Sequence, residues 1–156
     1  PWMEDSMQCA EGRPGRIFIV RIDHGEDLLG VLEQCIREKE IHCGVIQVLG
    51  ALGAGKMVSG PEEMVLPPYP HWEDFNGGWE MIGLGTISWS DDRPHIHLHS
   101  AAGKGNRTLT GCLREKAEVY IVTEAVITEI SGVQSVSCPD RTTGLSLPRY
   151  HSGNDP

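Results

Sequence analysis

The sequence predicts an α+β fold: an antiparallel-rich mixed sheet carrying one main helix. Three observations point there. One stretch alone places apolar residues at helical three- and four-residue spacing. The other apolar stretches are short, β-branched or alternating. Helical patterns do not recur between them, which excludes a βαβ series. At 156 residues the chain is long enough for one domain with a real core.

The first element is "GRIFIVRID" (15–23), apolar and β-branched, bounded by Gly and Pro before and His24-Gly25 after. It predicts a strand over 16–22. The helix follows in "GEDLLGVLEQCIREKEI", where Leu28, Leu29, Val31, Leu32, Cys35 and Ile36 share one stripe. Glu26 and Asp27 are placed in its first turn and Arg37 and Lys39 in its last, as the helix dipole favours. "CGVIQVLGALGAGKMVSG" (43–60) predicts two short strands with a bend near 50–53. Its "GALGAG" is not spaced as G-x-G-x-x-G, and no helix follows to hold a phosphate. Close strand packing or a bulge explains these glycines better.

Residues 59–78, "SGPEEMVLPPYPHWEDFNGG", carry four prolines and read as a long excursion with a short strand at Met64–Leu66. Trp72 and Phe75 in it suggest a hydrophobic lid or a subunit contact. "WEMIGLGTISW" (79–89), "HIHLHSAAG", "RTLTGCL" and "EVYIVTEAVITEI" (118–130) all read as strands. From Gly132 onward the chain turns polar and loop-like, and its final dozen residues suggest a loose strap or disorder.

Composition narrows the function classes. Thirteen basic residues face 22 acidic ones, for a net charge of −9. Affinity for duplex DNA comes largely from Lys and Arg on phosphates, so this balance opposes direct DNA binding. "GRPGR" (12–16) resembles an AT-hook fragment, but flanking basic residues are missing, Glu11 precedes it, and Arg16 belongs to the first strand. No apolar run approaches the ~20 residues that span a bilayer, and the N-terminus has no basic start followed by an apolar stretch. Five cysteines, an odd number without a C-x-x-C pair, suggest a reduced, cytoplasmic protein.

The chemistry concentrates in "RPHIHLHSAAGKGNRTLTGCL" (93–113). "GKGN" marks a turn between two alternating segments. Pairing 102 with 107 sets His97 opposite Cys112 and His99 opposite Thr110. One face then carries Ile96, Leu98, Leu109 and Leu113; the other carries His95, His97, His99, Thr108, Thr110, Cys112 and Arg114. His97, His99 and Cys112 can converge on one point, a sensible divalent-metal site whose thiolate shifts preference toward zinc. The plain alternative is a wet strand face that tolerates histidine. His95 is left as a fourth ligand, a supporting group or a surface residue. His24 belongs to the strand-to-helix turn, and His42 and His71 read as surface. Glu80 and Glu118 begin strands and are candidates for a general base.

From about residue 15 to 131 the chain resembles the PPC (Plants and Prokaryotes Conserved) domain. The resemblance rests on Arg16 and the strand after it, Gly25-Glu26-Asp27, "LGA", the P-x-x-H-L-H stretch at 94–99 and the Gly-x-Leu of "GCL". It implies a 1–15 N-terminal extension, a 16–131 domain, a 132–156 tail and a homotrimer. Family members often carry a DNA-binding label, which descends from plant proteins with an AT-hook beside the domain. The family's H-L-H corresponds to His97-Leu98-His99. A further family histidine, in Gly-Gly-His-Leu, corresponds to Cys112, where this sequence departs from the pattern. The plant G-R-F-E-I-L-type segment is replaced by "GRIFIV". The architecture also resembles acetolactate decarboxylase, which holds zinc through an H-x-H and a third histidine; that analogy concerns fold. The resulting expectation is a trimeric, divalent-metal-binding PPC-domain protein, with a small-molecule ligand as a further partner. The alternatives are a metal-dependent hydrolase or lyase acting on a small molecule, and a DNA-associated regulator.

Overall fold

A computed structural model describes residues 7–153. The chain runs β1 (Arg13–Asp23), α1 (Leu28–Glu38), β2 (Gly44–Pro61), β3 (Pro70–Ser90), β4 (Arg93–Lys104), β5 (Arg107–Ser131), β6 (Val133–Pro139) and β7 (Ser146–Ser152). The expected α+β class holds: the strands form one mixed sheet, and among the described residues α1 is its single α-helix.

The ladder order is β1-β5-β2-β3-β6-β7, with β4 pairing both β3 and β5. Strands β2, β3, β4 and β5 therefore close on themselves, each hydrogen-bonded to two of the others. All pairings are antiparallel except β3 with β6, which meet in parallel at Trp89 and Val136.

The helix forms where the spacing predicts. Its stripe of Leu28, Leu32 and Ile36 is fully buried, packed in one cluster with Ile22, Ile41, Ile46, Leu98, Leu113 and Ile127. Asp27 is its N-cap rather than a first-turn residue, with Oδ2 accepting from Gly30 N at 2.8 Å. The other carboxylate oxygen accepts from Ala117 N on β5 at 3.1 Å, so one side chain caps the helix and ties it to the sheet. Glu26 lies before the helix and accepts from Asp23 N at 2.8 Å.

Several boundaries differ from expectation. Residues 44–61 form one strand whose pairing with β5 shifts between Gly50 and Leu52, between Leu52 and Ala54, and again between Gly55 and Lys56; the first two fall at the expected bend. The expected bend is thus a pair of bulges inside a strand. At Gly50, φ is 151°, and a side chain would collide with Val122 O on β5, so glycine is required there. The 59–78 excursion shrinks to 62–69, because β3 begins at Pro70 and no strand forms at Met64–Leu66. Phe75 is buried against Trp79, with ring centroids 5.5 Å apart. It belongs to the core rather than to a lid. The region after Gly132 is the β6–β7 hairpin rather than loop, with Val133 opposite Ser152 and Pro139 opposite Ser146. The ends of the expected extension and tail, residues 1–6 and 154–156, lie outside the described residues.

Candidate metal centre

Strand β4 presents His95, His97 and His99 on the outer face of the sheet, while Leu98 and Ala102 turn inward to the core. The turn to β5 uses only Gly105 and Asn106, with Lys104 opposite Arg107. The tighter turn slides the pairing by two residues from the expected register. His99, not His97, lies opposite Cys112, and Thr110 faces Ala101. A slip of two keeps every side chain on its face, so the three candidate donors stay together, with His97 diagonal to Cys112. Gly111 lets this corner close, since a side chain there would collide with Val58 O on β2.

The three donors come together. His97 Nε2 and His99 Nε2 are 3.1 Å apart, their rings crossed at 85°. With Cys112 Sγ, the ligand atoms all lie within 4.8 Å of one another. Tetrahedral zinc with bonds of about 2.0–2.3 Å holds its donors roughly 3.3–3.7 Å apart. Small side-chain rotations satisfy that geometry, and two imidazoles with one sulfur suit a borderline-soft ion. The two histidines are exposed and Cys112 is buried, so the site opens to one side.

Electrostatics favour ligation. Partial burial, then the positive charge of Arg114, lowers the pKa of His97. Burial first, then His97 and Arg114, does the same for His99. Both effects disfavour the imidazolium, which cannot bind a metal. Arg114 Nε donates to Cys112 Sγ at 3.1 Å, the kind of outer contact that orients a ligand sulfur.

His95 is not in the triad. It lines a neighbouring cavity of about 350 Å³ with Leu29, Glu33, Arg93, Arg114 and Glu115. Burial, followed by Arg114 and His97, lowers its pKa as well. The candidate bases do not arrive. Glu80 lies opposite Gly103, four residues or about 13 Å along β4 from His99. Glu118 is six residues beyond Cys112 and pairs with Lys116 at 3.9 Å. Both lie inside strands rather than at their starts. Arg114 is the residue that sequence reasoning placed on the correct face without a role; its parity with Cys112 was the available signal.

The remaining histidines fall elsewhere. His24 sits in the turn before α1, its Nδ1 accepting from Ile121 N at 3.1 Å. His42 stacks on Trp89 with centroids 4.9 Å apart. His71 lies in β3 between Glu62 and Glu73. Trp72 is 39% exposed beneath Lys56, whose Nζ is 4.8 Å from the ring centre. Arg16 of "GRPGR" is committed to the fold: its Nη2 meets Glu129 Oε2 at 2.6 Å and donates to Lys39 O at 2.8 Å.

A β-rich α+β domain with a histidine–cysteine cluster on its outer face defines a narrow class. A model of the Plants and Prokaryotes Conserved (PCC) domain matches residues 9–131, and the chain belongs to that family. A metal-containing protein from Archaeoglobus fulgidus is 26% identical, with a TM-score of 0.82 over 92% of this chain and 99% of that one. A plant- and prokaryote-conserved protein from Pyrococcus horikoshii is 25% identical, with a TM-score of 0.80 over 92% and 97%. A candidate DNA-binding protein from Ralstonia eutropha JMP134 shares the fold at 18% identity, with a TM-score of 0.72 over 84% and 89%. No curated protein sequence matches the chain. Among the described residues no helix is long and apolar enough to cross a membrane.

Proposed function

We propose that the chain is a divalent-metal-binding PPC-domain protein, with His97, His99 and Cys112 as ligands and zinc as the preferred ion. One observation carries this reading: three donors of the right chemistry lie within 4.8 Å of one another on one open face. The metal-containing neighbour from Archaeoglobus supports it. Three protein ligands leave a position for water or a small molecule. An ion there would supply Lewis acidity toward a carbonyl or activate a water. The cavity beside the triad gives a small molecule somewhere to sit, which favours a hydrolase or lyase as the second reading. The architectural likeness to acetolactate decarboxylase belongs to that second reading.

Direct DNA binding is the weaker reading. The net charge of −9 repels a polyanion, and Arg16 is tied to Glu129. The same proposal includes a homotrimer and a reducing, cytoplasmic setting, the latter in keeping with five free cysteines.

Metal analysis by mass spectrometry, on protein purified without a histidine tag or chelator, tests the centre. About one zinc or similar ion per chain is expected. His97→Ala and His99→Ala are expected to weaken metal binding by at least ~100-fold without unfolding the chain. Failure of the unaltered protein to take up zinc on titration would sink the reading.

A further inference from the structure

Arg114 stands between two features of this surface. Its Nε reaches back to Cys112 Sγ at 3.1 Å, and its side chain also lines the cavity formed by Leu29, Glu33, Arg93, His95 and Glu115. Two of the strands that build the triad therefore continue into the cavity: β4 through His95, and β5 through Arg114.

The charges around this cavity are unequally matched. Glu33 meets Arg37 at 2.8 Å and Arg93 at 3.3 Å. Glu115 meets Lys56 at 3.4 Å. Among the described residues Arg114 meets no carboxylate; its one polar contact is the sulfur. A guanidinium with a fork of donors, one of which is spent on Cys112, still has its terminal N–H groups to offer. The natural occupant of such a fork is a planar oxyanion.

We propose that the cavity binds a small monocarboxylate, its carboxylate held by Arg114 and a second oxygen directed to the ion at His97, His99 and Cys112. This rests on the metal-centre reading. Cavity size and lining set the rest of the ligand. A volume of about 350 Å³ is at the low end for small-molecule sites. Leu29, Ile96 and Leu113 give it an apolar wall for a short carbon skeleton. Glu33 and Glu115 add two negative charges to the lining, which disfavours a dianion such as phosphate relative to a single carboxylate. The fork also explains the sulfur contact: Arg114 is held at one end so that its other end is aimed before the ligand arrives, which lowers the entropy cost of binding.

Cobalt provides separate readouts for the ion and the ligand. The protein is loaded with Co(II), and uptake is followed by elemental analysis and by the visible d–d bands. Glycolate is then titrated in, with acetamide and inorganic phosphate in parallel. The expected result is a saturable change in the cobalt bands with glycolate, at least about tenfold weaker with phosphate and absent with acetamide. Arg114→Met loses the contact to Cys112 Sγ and is expected to bind cobalt more weakly. Compared at cobalt concentrations that fill the site in both proteins, it is expected to weaken glycolate by about tenfold or more, with Arg114→Lys intermediate. Cobalt uptake without any glycolate response would overturn the carboxylate site and leave the metal centre standing. So would glycolate binding equally well to Arg114→Met, or phosphate binding as tightly as glycolate. No cobalt uptake by the unaltered protein would overturn both.

Discussion

His71 shows how a single side chain can make this surface sensitive to pH. Its Nδ1 lies 2.7 Å from Glu62 Oε1 and its Nε2 lies 2.9 Å from Glu73 Oε1. Ionised carboxylates only accept hydrogen bonds, so both contacts are satisfied together only by the doubly protonated ring. Hydrogen bonding to Glu73 and then Glu62 accordingly raises the pKa above the ordinary 6.5. A raised folded-state pKa stabilises the protein fully below about pH 6.5, and that contribution is lost as pH rises through the folded value. NMR titration of the His71 ring is expected to show the raised pKa, with Glu73→Gln or Glu62→Gln bringing it down. The thermal-stability advantage over His71→Gln should be largest in mild acid and vanish on the alkaline side; an advantage that grows with pH would contradict the bracket. The Glu62 contact was not legible in the sequence, because it crosses the β2–β3 turn, whereas Glu73 shares a strand face with His71 by alternation. The triad was legible through the same alternation. Alternation along a strand fixes the face even when register is misread, so His97, His99 and Cys112 were grouped correctly despite the two-residue slip.

At the scale of elements, the helix start is the most concentrated joint. Asp27 serves Gly30 N and Ala117 N with its two carboxylate oxygens. Removing it deletes a cap and leaves a part-buried strand N–H without its acceptor. Asp27→Ala is expected to cost about 1–2 kcal/mol in urea unfolding. An unchanged midpoint would show that water or the backbone replaces both contacts. The helix itself was readable because its apolar stripe has a period that no strand shares. Long strands were harder. Bulges and glycines broke β2 into apparent fragments, and prolines with acidic residues disguised the start of β3. The β6–β7 hairpin is hard to read because its strands mix polar and apolar residues on both faces without clean alternation, and its pairing is supplied mainly by its own two strands.

The whole molecule leaves an apolar face uncovered. Ile19, Val126, Gln47, Leu84 and His99 lie in one row across five strands, each directly opposite the next. Ile17, Ile19, Leu49, Ile82 and Leu84 on this face are each more than half exposed. Contiguous patches of this kind on a monomer mark an interaction surface. Covering it with other copies of the chain accounts for the patch in the trimer reading. Light scattering is then expected to give three times the 17.1 kDa chain mass. Leu84→Glu should lower that mass, whereas Lys116→Glu should leave it intact. A monomeric native protein would refute the assembly. His99 ends the row, so the metal centre would stand at the rim of the assembled surface.

The closed circuit of β2, β3, β4 and β5 has a kinetic consequence. A backbone amide exchanges its proton with solvent only when its strand parts from its neighbours, and here none of the four can peel away alone. β5 also holds β1 along its other margin, so opening it disturbs three ladders together. β6 and β7 have one ladder bridge to the circuit, at Trp89 and Val136, and otherwise scattered contacts such as Ser135 N to His42 O and Tyr150 N to Gln8 Oε1, so no closed ladder holds them. The protein is therefore built as two clocks: deuterium enters the terminal hairpin early, and enters the circuit only at the pace of global unfolding.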